Sequence, residues 1–196
     1  MKETTPKEIE KIIKKGLKSL TKSLGAHYPE RTDFDVNEIS ESNLTIHLAH
    51  AFISDGYVSF GEFPFDNNKH LDLVCFHENR EPWVAIEAKR YINGNTKAVY
   101  EDFRRILKQG KYEDSSDGRN IGVSIMFNRH KDIDTWWKDP LKENLPKGKS
   151  SEYWQNLIGV LDKYNPLTGV HVLFEDEYEE SEEWGNSVLY AIFRGV

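Results

Sequence analysis

The chain has 196 residues, 38% of them hydrophobic and 12% aromatic, with a mean hydropathy of -0.67. That length suits one domain with a substantial buried core. A net charge of -7 by itself argues against a nucleic-acid binder, and no stretch approaches the roughly 18 apolar residues of a membrane span.

The charge is uneven along the chain. Residues 1–22 hold seven lysines against three glutamates, with no apolar segment after them, so they do not read as a secretory signal. Ile9, Ile12, Ile13, Leu17 and Leu20 recur at helical spacing and predict a helix over 5–24, with lysines opposite. Gly25 to Asp33 reads as a loop. A second helix is predicted from a cap at Asp35 or Asn37 to about Ile53, with Leu44, Leu48, Ala51 and Phe52 as its apolar stripe. Glu41 lines up with that stripe, where a carboxylate needs a partner or a place in the first turn. Asp55-Gly56 ends the helix.

Three strands follow, Tyr57 to Phe63, Leu71 to Phe76 and Trp83 to Lys89, with turn-forming residues at Asn67-Asn68 and Asn79 to Pro82. After the break at Asn93-Gly94-Asn95, a helix is predicted over Thr96 to Gln109, with Gly110 as terminator. Its apolar stripe is Val99, Phe103, Ile106 and Leu107, and Lys97, Arg104, Arg105, Lys108 and Lys111 lie opposite. Arg119 to Phe127 reads as a buried strand, so strand, crossover helix and strand imply parallel pairing of the third and fourth strands.

Residues 131–165 read as helical with a loop at Pro140 to Ser150, and Trp136, Trp137 and Trp154 read as core. Val170 to Phe174 and Val188 to Phe193 add two strands. Between them residues 175–183 hold seven acids, and the rest of the chain is close to neutral. This acidic segment reads as a solvated loop, as a mimic of nucleic-acid charge that covers a site, or as a contact for a protein partner. The pattern is an α/β domain with a mixed sheet. Residues 1–34 form an N-terminal helix and loop, 35–130 a core, and 131–196 helices and strands completing the same single domain.

The chemistry concentrates in two stretches, His70-Leu71-Asp72-Leu73-Val74-Cys75-Phe76 and Trp83-Val84-Ala85-Ile86-Glu87-Ala88-Lys89. Strand side chains alternate between faces, so Glu87 and Lys89 share one face with Trp83 and Ala85. If Asp72 pairs near Glu87, two carboxylates and an amine converge. Two carboxylates can hold a divalent cation, and a lysine beside it can assist a water attacking a phosphodiester. The apolar residues around Glu87 suit a central strand buried on both faces, where a charged pair needs a partner or a function.

This constellation resembles the PD-(D/E)XK nuclease superfamily over roughly residues 35–130. Asp72 takes the place of the family's second-strand aspartate, Glu87 of the acid in its E-x-K, and Lys89 of its lysine, while Leu71 stands where a proline often precedes the aspartate. The resemblance implies a restriction-endonuclease-like αβββαβ core, its mixed central sheet flanked by helices, with C-terminal helices and two further strands added. It implies a metal-dependent phosphodiesterase, a nuclease acting on nucleic acid and first of all on DNA. Asp72, Glu87 and the Ala88 backbone carbonyl would hold Mg²⁺ or Mn²⁺, and Lys89 would position the nucleophile or stabilise the transition state. Glu41 resembles the acid that many members place on the first core helix, and Glu62 on the first strand is a further candidate ligand.

Lys97, Arg104, Arg105 and Lys108 are candidate contacts to nucleic-acid phosphates. Gln109-Gly110-Lys111-Tyr112 resembles a Gln-x-x-x-Tyr element of one branch of the superfamily but is one residue short. A homodimer would suit double-strand cleavage. The alternative readings are a non-catalytic binding or assembly module of the same fold, and a metal-using enzyme on another phosphorylated substrate. His47 and His50, or His70 and His77, lack the companions of a structural zinc site. There is no phosphate-binding Gly-x-x-x-x-Gly-Lys-Ser/Thr loop and no Gly-x-Ser-x-Gly elbow. The lone cysteine, Cys75, reads as a small core residue and fits a reducing cytoplasm.

Overall fold

The computed structural model describes residues 2–27, 40–66, 69–89, 96–108, 120–140, 152–174 and 184–194. Along the chain run β1 (Lys2–Glu3), α1 (Pro6–His27), α2 (Glu41–Ser54), β2 (Val58–Asp66), β3 (Lys69–His77) and β4 (Arg80–Lys89). Then come α3 (Thr96–Lys108), β5 (Ile121–His130), α4 (Lys131–Lys138), α5 (Glu152–Tyr164), β6 (Leu167–Phe174) and β7 (Trp184–Arg194). The α/β class and the mixed sheet read from the sequence are both present. The strand order is β2-β3-β4-β5-β7-β6, with the two-residue β1 alongside β4. β2 pairs antiparallel with β3 and β3 with β4, β4 and β5 are parallel, and β7 lies antiparallel to both β5 and β6.

Each face of the sheet carries its own helices and its own core. Val84, Ile86 and Ala88 of β4 face α1 and α2, where Ile9, Ile13, Leu17, Leu44, Leu48 and Phe52 are buried with them. The apolar spacing of both helices supplies that stripe. On the other face Val99, Phe103 and Ile106 of α3 pack with Met126, Leu189 and Phe193 and with Trp136, Trp137 and Trp154. All three tryptophans are core residues, and Trp137 donates its indole N–H to the Tyr190 carbonyl at 3.0 Å. Each large side chain so buried contributes roughly 1.5–3 kcal/mol. A third cluster, Leu71, Val74 and Ala85, lies under the Phe63, Phe76 and Trp83 rings.

Several boundaries differ from the sequence expectation. α2 starts at Glu41 with Ser40 as its cap, not at Asp35 or Asn37, which lie outside the described residues. Ser40 has extended backbone (φ -72°, ψ 151°), and its hydroxyl accepts the Asn43 N–H, satisfying a donor that a helix start leaves open. The β2–β3 hairpin reaches further than its apolar pattern, because the ladder continues through Pro64↔His70 to Asp66↔Lys69. β7 likewise starts at Trp184, opposite His130. Gly110, Gln109 to Tyr112 and the acidic segment 175–183 lie outside the described residues.

Close packing shows where side chains are excluded. At Gly16 of α1 a Cβ would lie 3.1 Å from the His47 carbonyl of α2, so glycine lets the two helices meet closely. At Gly169 of β6 a Cβ would run into the Tyr190 ring, whose hydroxyl donates to Glu10 of α1 at 2.8 Å.

Candidate functional site

The site begins where β3 and β4 part. Their ladder runs from Cys75↔Val84 through Val74↔Ala85 to Leu73↔Ile86. One step beyond, the Ala88 N–H donates to Asp72 Oδ2 at 2.6 Å. A carboxylate has replaced a backbone carbonyl as acceptor, a charge-assisted bond that anchors Asp72 at the split. The N–H and C=O of one strand residue point to the same side, so the Ala88 carbonyl faces this gap too.

Continuing the register places Asp72 across from Glu87. On the other side Glu87 pairs with Ser124 of β5 and Lys89 with Met126. β4 is therefore a central strand, and Glu87 is 0% exposed. An ionised carboxylate at such a position needs compensation. It comes from α3, which crosses this face. Arg105 Nη1 donates to Glu87 Oε1 at 2.9 Å, and Nη2 donates to Asp102 Oδ1 at 2.8 Å. Lys89 Nζ lies 3.3 Å from Asp102 Oδ2. Two carboxylates, a guanidinium and an ammonium thus form one network beside Asp72.

The network is strongly perturbed. Burial, together with the charges of Asp102 and Asp72, pushes Glu87 up to about 9 despite Arg105 and Lys89. Burial also lifts Asp102, to about 6, against the pull of Lys89 and Arg105. For Lys89, burial works downward, but Asp102, Glu41 and Asp72 outweigh it and the ammonium ends above its ordinary value. Lys89 is therefore a fixed positive charge at neutral pH. Glu87 Oε2 and the neighbouring Ser124 Oγ are buried without a hydrogen-bond partner. Buried polar atoms in that condition call for an explanation, and a bound ion or a catalytic role is one such explanation.

The donor set suits a hard divalent cation in its chemistry. Glu87 Oε2 is a buried carboxylate oxygen without a hydrogen-bond partner, Asp72 adds a second carboxylate, and the Ala88 carbonyl faces the same gap. Among the described residues no three His, Cys, Asp or Glu side chains yet converge on a common point. Instead, a guanidinium bridges Glu87 and Asp102.

The remaining predicted residues divide clearly. Glu41, in the first turn of α2, is close enough for Lys89 to feel its charge. Glu62 is exposed, with a left-handed φ of 49°, and makes no hydrogen bond or ion pair to the site among the described residues. Lys97 and Arg104 point outward, Lys97 4.0 Å from Glu101 and each 5.9 Å from a tyrosine ring, Tyr153 and Tyr100 respectively. Arg105, expected on that outer face, turns inward to the buried acids. The Lys108 side chain lies outside the described residues. His47 bonds Ser19 at 3.0 Å, and His77 accepts the Asn79 N–H and packs on Tyr57.

Sequence reasoning missed Asp102 as a site residue. Its signal was available, since Val99, Asp102, Phe103 and Ile106 lie on one helical stripe and a lone acid there has to be buried. No family model, curated protein or solved structure matches the chain.

Proposed function

We propose that this chain is a divalent-metal-dependent nuclease hydrolysing phosphodiester bonds in nucleic acid, with DNA the first substrate to test. The observation that carries the reading is Glu87. It is a fully buried carboxylate on the central strand with one oxygen unpartnered, set between Asp72 and Lys89. The order α2-β2-β3-β4-α3-β5, with β4 and β5 parallel, supports a restriction-endonuclease-like core and kinship with the PD-(D/E)XK superfamily.

Asp72, Glu87 and the Ala88 carbonyl would hold Mg²⁺ or Mn²⁺, with Glu41 near enough to Lys89 to shape the field. A bound ion supplies Lewis acidity to the phosphate and acidifies a water. Asp72 is held for this task by the Ala88 N–H. Lys89, kept protonated by the acids around it, positions the nucleophile and stabilises the charge that grows on the phosphate. Lys97 and Arg104 lie on the outward side of α3, where they can track the substrate backbone.

The test is cleavage of plasmid, single-stranded DNA and RNA with Mg²⁺ or Mn²⁺. Wild type cuts, while Asp72→Asn and Lys89→Ala, still folded, do not. Full activity in either variant removes the assignment. One observation favours a second reading, a non-catalytic module of this fold. Arg105 already engages Glu87 and Asp102, as in a structural ion cluster. That reading predicts nucleic-acid binding without cleavage, unchanged by either substitution.

A further inference from the structure

Arg105 grips two buried carboxylates at once. Its fork meets Glu87 Oε1 at 2.9 Å and Asp102 Oδ1 at 2.8 Å, and these acids are 0% and 1% exposed. Of their other oxygens, Glu87 Oε2 has no hydrogen-bond partner, and Asp102 Oδ2 is paired with the Lys89 ammonium at 3.3 Å. The guanidinium therefore engages the same carboxylates that a hard cation would seek.

Arg105 also has a way out. Its side chain is 28% exposed, and it sits on the helix that carries Lys97 and Arg104 outward. A phosphodiester chain lying along α3 would draw the guanidinium from the acids toward its own phosphates. We propose that Arg105 is an internal counter-cation of the site, exchanged for a divalent ion when a polyanionic strand takes up the guanidinium. The proposal rests on the metal-dependent reading above. It makes metal and strand mutually reinforcing ligands, since coupling between two bound species is reciprocal.

Calorimetric titration with Mn²⁺ tests it, on wild type, Arg105→Gln and Arg105→Lys, each alone and with a cleavage-resistant phosphorothioate oligonucleotide. The oligonucleotide tightens Mn²⁺ binding to wild type by about tenfold, within the usual range of coupling between sites. Arg105→Gln binds Mn²⁺ about tenfold tighter than wild type without the oligonucleotide and gains little when it is added. Arg105→Lys falls between, because an ammonium cannot bridge both acids as a fork does. If Arg105→Gln binds Mn²⁺ no tighter than wild type, the counter-cation is overturned and the metal site stands. If none of the three proteins binds Mn²⁺, with or without oligonucleotide, the metal reading and the exchange fall together. Thermal unfolding verifies each variant. Should Arg105→Gln not fold, Arg105→Lys decides by the same criterion, tighter than wild type in support and equal or weaker against.

Discussion

Two groups of buried polar side chains lie on the α3–α5 face of the sheet, and their compensation differs. Around Asp134, Oδ1 accepts from Asn128 at 2.6 Å and from Ser187 at 2.5 Å, while Asn128 also donates to the His130 carbonyl at 2.8 Å. The partners are neutral and short-ranged, and Asp134 sits in the first turn of α4, where the helix dipole favours an anion. Burial holds Asp134 above its ordinary value, and the Ser187 and Asn128 bonds offset only part of that rise. Around Glu87 the partners are charged, acids outnumber bases, and Glu87 Oε2 remains buried without a hydrogen bond. Satisfied polar groups hold a fold together, while each unsatisfied one costs stability.

The comparison is sharpest at Lys89. If the Glu87 network is built for chemistry, Lys89→Ala lowers the cleavage rate by at least about 10²–10³, the usual loss on removing one charge-stabilising group. Asp134→Ala leaves the rate per folded molecule unchanged. Single-turnover cleavage on matched folded protein checks both.

Next in size is Glu87→Gln. The folded-state value of Glu87, about 9, lies above its ordinary 4.5, so the protonated form is the one that favours folding. That contribution is complete below about pH 4.5 and is lost as pH rises toward 9. A permanently neutral glutamine avoids the loss. Metal-free Glu87→Gln should therefore be more stable than wild type by up to about 3 kcal/mol at pH 7, with the gap closing near pH 4. Denaturant unfolding across that range would contradict this if the gap were constant or reversed.

Asp134→Ala should move stability the other way, by about 2 kcal/mol, because buried donors lose their acceptor. In a protein of this length that lowers the melting temperature by roughly 4–8 °C. The smallest effect is a matched pair. Ser187→Ala removes a bond to Asp134 and costs about 1 kcal/mol, whereas Ser124→Ala removes a hydroxyl with no partner and stays within about 0.5 kcal/mol. Equal losses at the two serines would erase the distinction between the clusters.

Much of this arrangement was legible from local pattern. The alternation of β4 and the turn before it foretold a hairpin carrying Asp72, Glu87 and Lys89. The stripe of Leu44, Leu48, Ala51 and Phe52 foretold the buried side of α2. What escaped depends on distant pairing. Arg105 was grouped with the outer lysines because a helix wheel assigns charge to solvent. Only the crossing of α3 over β4 supplies a buried carboxylate for it. Chain order gave no hint that β7 would lie between β5 and β6, nor that Lys2–Glu3 would pair with β4.

That position of β7 has a consequence for how the chain is made. Nine residue pairs join it to β5 and seven to β6, and Tyr190 reaches back to Glu10, 180 residues earlier. Until residues 184–194 have left the ribosome, β5 and β6 each present an unpaired edge rich in branched side chains. Such edges recruit other strands, and contacts of long sequence separation form slowly. The nascent chain must therefore wait for β7 with its sheet open, which makes the interval before β7 arrives a period of exposure to aggregation.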